Sequence, residues 1–343
     1  MNPYAMSMIF SSLSLGTIMT LSSHHWILAW IGLEINTLAI IPMMTKTPHP
    51  RTIEAATKYF LTQATASALI LFSSTMNAFM MGEWSINTLN HQIPATLLSI
   101  AIAMKLGVAP FHFWLPEVLQ GSTLLTGLIL STWQKLAPMA LLIQLSQSVN
   151  LNLLLSLGLL STLIGGWGGI NQTHIRKMLA YSSVAHLGWM IAVLKISPQL
   201  TLLNFTIYLI MTSTLFLTFM TLNTKNMYEL STTWSKTPAL TALSMLSLLS
   251  LSGLPPLTGF LPKWLIAQEM IKQNMAMFTL MILLSSLLSL FFYLRLTYLM
   301  SMTLAPNLSS SPVSWFNLPN NTLAVPMILS ILLLPTTPTI MMI

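Results

Sequence analysis

The 343 residues of this chain specify an all-α polytopic membrane protein. The expected plan is about 11 transmembrane helices: two inverted five-helix repeats, each with a broken helix, plus a C-terminal helix. Three observations carry that expectation. First, the chain is 54% apolar and 6% charged, with a mean hydropathy of +0.75, whereas a soluble domain carries about 25% charged residues. Second, apolar segments of the roughly 20 residues needed to cross a bilayer follow one another with short connections. Third, two stretches 146 residues apart spell the same interrupted helix. One is Gly107-Val108-Ala109-Pro110-Phe111-His112-Phe113-Trp114-Leu115-Pro116-Glu117. The other is Gly253-Leu254-Pro255-Pro256-Leu257-Thr258-Gly259-Phe260-Leu261-Pro262-Lys263. Broken helices at matching places in two halves of a membrane protein point to a transport site.

The spans fall near 3–22, 26–44, 57–81, 94–118, 123–145, 150–170, 177–197, 200–222, 238–270, 276–300 and 322–341. The first 22 residues carry no charge and read as a span rather than a cleaved leader. Span two holds Glu34 at its middle. Glu54 and Lys58 form an i, i+4 pair at the mouth of span three. Span four contains the first break, and span five carries Lys135. In span six, Gly165-Gly166-Trp167-Gly168-Gly169 lacks the preceding strand and the spacing of a dinucleotide fingerprint, so it reads as close helix packing through small residues. Span seven carries Tyr181-Ser182-Ser183-Val184-Ala185-His186. Span nine is too long for one straight helix, and its break accounts for the excess. Span ten ends near Arg295, placed to snorkel. The domains follow: residues 1–145 form the first repeat, 146–300 the second, and 301–343 a loop and final helix.

Loop charges set the orientation. On the N-terminal side lie Lys46, Arg51, Lys58, Arg176, Lys177, Lys225 and Lys236, against Lys195 and Lys272 on the other. The positive-inside rule makes the first side cytoplasm or matrix. An odd number of spans sends the C-terminus to the opposite side. Five spans separate the two broken helices, so the second copy inserts upside down.

Several classes of chemistry are excluded. There is no cysteine, hence no disulfide, thiol catalysis or iron–sulfur ligation by this chain. The net charge of +7 comes from scattered basic residues rather than a nucleic-acid patch. His24, His25, His49, His91 and His174 lie in loops without metal-ligand spacing, and the 26 methionines read as core and lipid-facing filler.

Four charges sit inside apolar spans: Glu34, Lys105, Lys135 and Lys263. Each costs about 2.5–3.5 kcal/mol at a helix centre, so each needs a partner, water or a function. Glu34 and Lys105 suit an ion pair. Glu117 is placed to face either remaining lysine, and Glu269 is off the helical face of Lys263. A buried lysine that switches between charged and neutral as its partner moves suits proton transfer. His112, inside the first break, and His186 have side chains suited to relay; a packed neutral imidazole is the alternative for both. Gln63, Gln134, Ser182 and Ser183 either hold water or serve as packing glue.

The strings Met104-Lys105-Leu106-Gly107 and Leu251-Ser252-Gly253 leading into the two breaks, with Trp30-Ile31-Gly32-Leu33-Glu34 and Thr132-Trp133-Gln134-Lys135-Leu136-Ala137-Pro138, resemble the antiporter-like subunits of respiratory complex I over essentially the whole chain. The resemblance implies a proton-translocating membrane-arm subunit of the NADH:ubiquinone reductase. It implies an ion pair Glu34–Lys105 where the proton path begins, Lys135 as central lysine, Lys263 as terminal lysine, and His112 and His186 as relay positions. It implies no cofactor or metal in this chain, with NAD, FMN, iron–sulfur clusters and ubiquinone in other subunits. Expected partners are neighbouring antiporter-like and other membrane-arm subunits and membrane lipids, with no nucleic acid. The expected location is the mitochondrial inner membrane, N-terminus on the matrix side and C-terminus on the intermembrane side. Bacterial members have three more helices at the start, which animal members lack. A free-standing cation/proton antiporter, a structural membrane spacer and a quinone-binding chain are the alternatives.

Overall fold

The computed structural model describes residues 3–86, 88, 89, 91–235, 237–302 and 323–332. Among these, the regular structure is helical, with only two isolated β-bridges. Two compact units divide the chain, Met1–Ser161 and Thr162–Ile343.

The first unit runs α1 (Pro3–Ser22), α2 (Trp26–Met44), α3 (Pro50–Met81), α4 (Gln92–Leu106), α5 (Trp114–Gly121), α6 (Leu124–Ser131) and α7 (Trp133–Gln144), and it ends within α8 (Leu151–Ile170). Here α2 packs on α1 and α3, α4 on α3 and α7, and α5 on α3. The first two helices have the expected limits. Helix α3 starts earlier than the apolar window, because His49 and Thr52 form a capping box and Pro50 occupies the first turn. Its first turns hold Arg51 and Glu54, which hydropathy alone places outside the span, and they continue into Lys58.

Span 123–145 is not one helix. It breaks at Thr132 (φ −112, ψ −72), where the hydroxyl donates to the Leu128 carbonyl at 2.7 Å. Such a side-chain bond competes with the helical ladder. The Lys135 amide then closes a tighter turn on the Thr132 carbonyl at 3.3 Å.

The second unit continues with α9 (Ile175–Val193), α10 (Pro198–Leu222), α11 (Met227–Thr232) and its 3-10 extension Thr233–Ser235, α12 (Pro238–Ser252), α13 (Phe260–Lys272), α14 (Ala276–Met302) and α15 (Ala324–Leu332). Helix α11 lies in what the hydropathy pattern reads as a loop. Among the described residues six helices are long and apolar enough to cross a membrane, namely α1, α2, α3, α8, α10 and α14. Of the expected final helix at 322–341, residues 323–332 are described; the remainder, the 303–321 connection and Lys236 lie outside the described residues.

The Gly165–Gly169 run does serve close packing. A Cβ at Gly165 would meet the Ala185 backbone at 2.6 Å, and one at Gly166 the Leu288 side chain at 2.7 Å, while Gly168 lies on Tyr181 and Gly169 on Phe292. Each unit also carries the same stitch between its first and third interhelical connections. His25 bridges Ser85 in the first unit, and His174 bridges Asn226 in the second. The bonds are Trp26 N to Trp84 O (3.1 Å) and Ile86 N to His24 O (3.1 Å), then Ile175 N to Lys225 O and Met227 N to Thr173 O, both 3.2 Å. His25 and His49 also cap α2 and α3 through Nδ1 at 3.2 Å, so these loop histidines are structural.

Candidate functional site

Both breaks arise in the same way. Helices α4 and α12 end on glycines in the left-handed region, Gly107 (φ +76) and Gly253 (φ +83). Glycine takes that conformation without the Cβ clash other residues meet. The chain then crosses seven residues in turns before α5 and α13 begin. Helix carbonyls at each break lose their ladder partners, and the two units satisfy them differently.

In the first unit the Trp114 indole N–H donates to the Met104 carbonyl at 3.2 Å. Lys105, one residue further along α4, is 6% exposed, and its Nζ makes no hydrogen bond. Glu34 on α2 is half-buried, with Oε2 enclosed and unbonded. The two interact electrostatically, yet no ion pair within 4.0 Å joins them. The expected contact pair is therefore corrected to a separated one. Leaving buried polar groups unbonded costs about 1–3 kcal/mol each, and more when charged.

Lys135 on α7 is 2% exposed, three residues past the Thr132 break. Gln134 ties α7 to α2 by donating to the Asn36 carbonyl at 2.9 Å. The structure brings Lys105 and Lys135 to one cavity, lined also by Asn36, Tyr59, Gln63 and Gln134. The space open to a water-sized sphere is about 10 Å³, close to the minimum that holds one water. Polar lining suits water better than an empty apolar void. Gln63 and Gln134 both line this space, and Gln134 also serves as interhelical glue through its bond to Asn36. Ser182 and Ser183 donate to the Leu179 and Ala180 carbonyls at 2.7 Å, and their hydroxyls also meet the phenols of Tyr293 on α14 and Tyr208 on α10.

His112 is 2% exposed within the first break, its ring 4.3 Å from that of Phe113. It is not among the residues lining the Lys105–Lys135 cavity. Glu117 faces neither central lysine. It pairs with Lys58 at 2.6 Å, and Lys58 also holds Glu54 at 2.5 Å. These are exposed groups, and the bridge fastens α5 to α3 at the surface. Glu269 likewise pairs with Lys272 at 2.5 Å rather than with Lys263.

In the second unit Lys263 folds back over Gly253 and donates to the Ser252 carbonyl, the last of α12, at 2.8 Å. A cation there meets the negative end of the helix dipole. His186 on α9 is 8% exposed, its ring 5.7 Å from Tyr208. His186, Trp189 and Lys263 together line two small cavities of about 10 Å³ each. One is completed by Thr162 and Ser289, the other by Asn204 and Tyr208. Lys263 and His186 are thus brought together. Arg295 donates to the Ile170 carbonyl at 2.7 Å and closes the end of α8.

Sequence reading missed Tyr59, Asn204 and Tyr208. Tyr59 had a signal, standing four residues before Gln63 on the same face of α3. Asn204 and Tyr208 share that i, i+4 spacing on α10. Among the described residues no cluster of three or more metal-ligating side chains occurs.

A family model described as NADH:quinone oxidoreductase/Mrp antiporter matches residues 23–289, and one described as NADH dehydrogenase subunit 2 C-terminus matches 290–341. A relative named NADH-ubiquinone oxidoreductase chain 2 from Aquarana catesbeiana is 59% identical and covers 100% of both chains. One of the same name from Salmo salar is 57% identical over 99% of this chain and 98% of its own. A chain in the structure of respiratory complex I from Thermus thermophilus with bound aureothin superposes with a TM-score of 0.87 at 25% identity, covering 99% of this chain and 80% of that one. A chain of the Mrp complex from Dietzia sp. shares the fold, with a TM-score of 0.75 at 16% identity over 83% of this chain and 58% of that one.

Proposed function

Because this chain belongs to the NADH:quinone oxidoreductase/Mrp antiporter membrane family, in its subunit 2 branch, and is a multi-pass, proton-translocating membrane subunit of respiratory complex I among neighbouring membrane subunits, we propose that its protons cross on buried lysines. The proposed stations are Glu34, Lys105 and Lys135 in the first unit and Lys263 with His186 in the second. The observation that carries this reading is the single small polar cavity lined by both Lys105 and Lys135.

Two ammonium groups sharing one enclosed space repel. A proton arriving on one favours departure from the other, and Glu34 biases the balance toward Lys105. Each transfer leaves one amine neutral and makes another cationic, with no covalent or redox change in the chain. Electrons pass through other subunits. His112, away from the cavity, has a packing role in this scheme.

The inverted five-helix arrangement, with repeats 1–145 and 146–300 and about eleven spans, belongs to the same proposal. The paired breaks and the paired loop stitches support it. So do the mitochondrial inner membrane location and a matrix-side N-terminus, on the strength of the loop charges. Replacing Lys135 by Met in assembled complex, reconstituted in proteoliposomes, is the direct test. The expected result is a lower proton-to-electron ratio; an unchanged ratio would overturn the reading.

A further inference from the structure

Among the polar groups beside Lys105, Tyr59 is one on which Glu34 also acts. Tyr59 on α3 is 2% exposed and lines the cavity with Lys105, Gln63 and Lys135. Among the described residues none hydrogen-bonds its hydroxyl. Its ring is held edge-on against Trp114, 5.7 Å between centroids, and Trp114 is itself fixed to the Met104 carbonyl of the break. The Glu34 carboxylate acts electrostatically on both Tyr59 and Lys105. The phenol and an ammonium nitrogen without a hydrogen bond therefore share one small space, and a carboxylate with one oxygen unbonded acts on both from beside it. A buried tyrosine normally finds a partner for its O–H. The cavity offers it about one water.

We propose that Tyr59 is a proton-relay residue, its phenol and one water closing the gap between Glu34 and Lys105. The inference rests on the proton-path reading above. In the forward step the phenol O–H gives its proton to the Glu34 carboxylate. The phenol oxygen takes a proton from the water, and the water takes one from the Lys105 ammonium. One carboxylic acid and one neutral amine result, and Tyr59 and the water are regenerated. A phenol serves here because it donates and accepts through the same oxygen, and the T-shaped contact fixes that oxygen in place.

The test is Tyr59→Phe in assembled complex, which keeps the ring and its packing on Trp114. Proton relay groups contribute about 10²–10⁴-fold to rate, so proton-coupled NADH oxidation is expected to fall by about tenfold or more at an unchanged amount of assembled complex. Tyr59→His, which restores a donor–acceptor group, is expected to recover at least half of the loss. A wild-type rate in Tyr59→Phe would overturn the proposal. So would equal impairment of both variants, or loss of assembly in Tyr59→Phe, since either assigns Tyr59 to packing alone. Lys135→Met in the same assay separates the two ideas. If it abolishes coupling while Tyr59→Phe does not, the relay fails and the lysine path stands; if it leaves coupling intact, the path itself fails.

Discussion

The two breaks share one backbone device and differ in what the side chains do with it. In the first, an indole closes the exposed helix end, and the neighbouring lysine, Lys105, is left without a hydrogen bond beside a cavity. In the second, the lysine itself closes the helix end, Lys263 donating to Ser252. The repeat therefore supplies positions, and the decoration decides function. A lysine anchored on a carbonyl is held at a fixed point. A lysine with no direct partner responds to charge arriving nearby.

The sharpest contrast is steric. Gly259 occupies the position that Phe113 fills in the first copy. A Cβ at Gly259 would overlap the Ser250 carbonyl oxygen and meet Met211 Cε at 2.9 Å, whereas Phe113 is 71% exposed. Gly259→Ala forces the backbone of the second break apart. It is expected to remove most assembled complex, as seen by native gel electrophoresis. Phe113→Ala is expected to leave the level near wild type, and equal loss in both would show that the breaks are packed alike.

The two lysines give the next contrast, in opposite directions. Lys263→Met leaves the Ser252 carbonyl without its donor and is expected to destabilise by about 1–3 kcal/mol. Lys105→Met removes a buried ammonium that has no hydrogen bond to lose, and relief of its desolvation is expected to offset the lost attraction to Glu34. Thermal inactivation of solubilised complex should thus shift down for Lys263→Met and remain level or rise for Lys105→Met, while both lower the proton-to-electron ratio. A downward shift for Lys105→Met would mean that its ammonium is anchored too.

Much of this was readable from residues alone. The Gly-x-x-Pro pattern located both breaks, and charge inside apolar spans singled out Glu34, Lys105, Lys135 and Lys263, of which the lysines line the small cavities. Partner choice was not readable. Glu117 follows the first break by sequence, but α5 turns it outward to Lys58, because a pairing across 59 residues depends on how α3 and α5 pack. The Thr132 break was hidden as well. Hydropathy is continuous through residues 124–144, and the break shows only in the backbone at Thr132, whose amide and hydroxyl both donate to the Leu128 carbonyl.

The smallest contrast concerns what braces each break from outside. Thr258, matching His112 in the repeat, is 1% exposed and donates to the Ser330 carbonyl of α15 at 2.5 Å. Helix α15 packs on α10 and α12 and falls in the segment matched by the subunit 2 C-terminal model rather than the antiporter one. In the first break the comparable brace is internal, the Trp114 indole on Met104. Thr258→Val keeps the shape and removes the donor, which is expected to cost about 0.5–1.5 kcal/mol. Trp114→Phe should cost a similar amount through the lost indole bond. The two should still separate functionally. Thr258→Val loosens the loop that leads into Lys263, so it is expected to lower the proton-to-electron ratio slightly, with recovery in Thr258→Ser. Trp114→Phe instead releases the ring against which Tyr59 is set, so its effect should fall on the rate of coupled NADH oxidation. If Thr258→Val leaves the ratio untouched, the C-terminal helix braces the fold without tuning the second lysine, and the two breaks differ in charge alone.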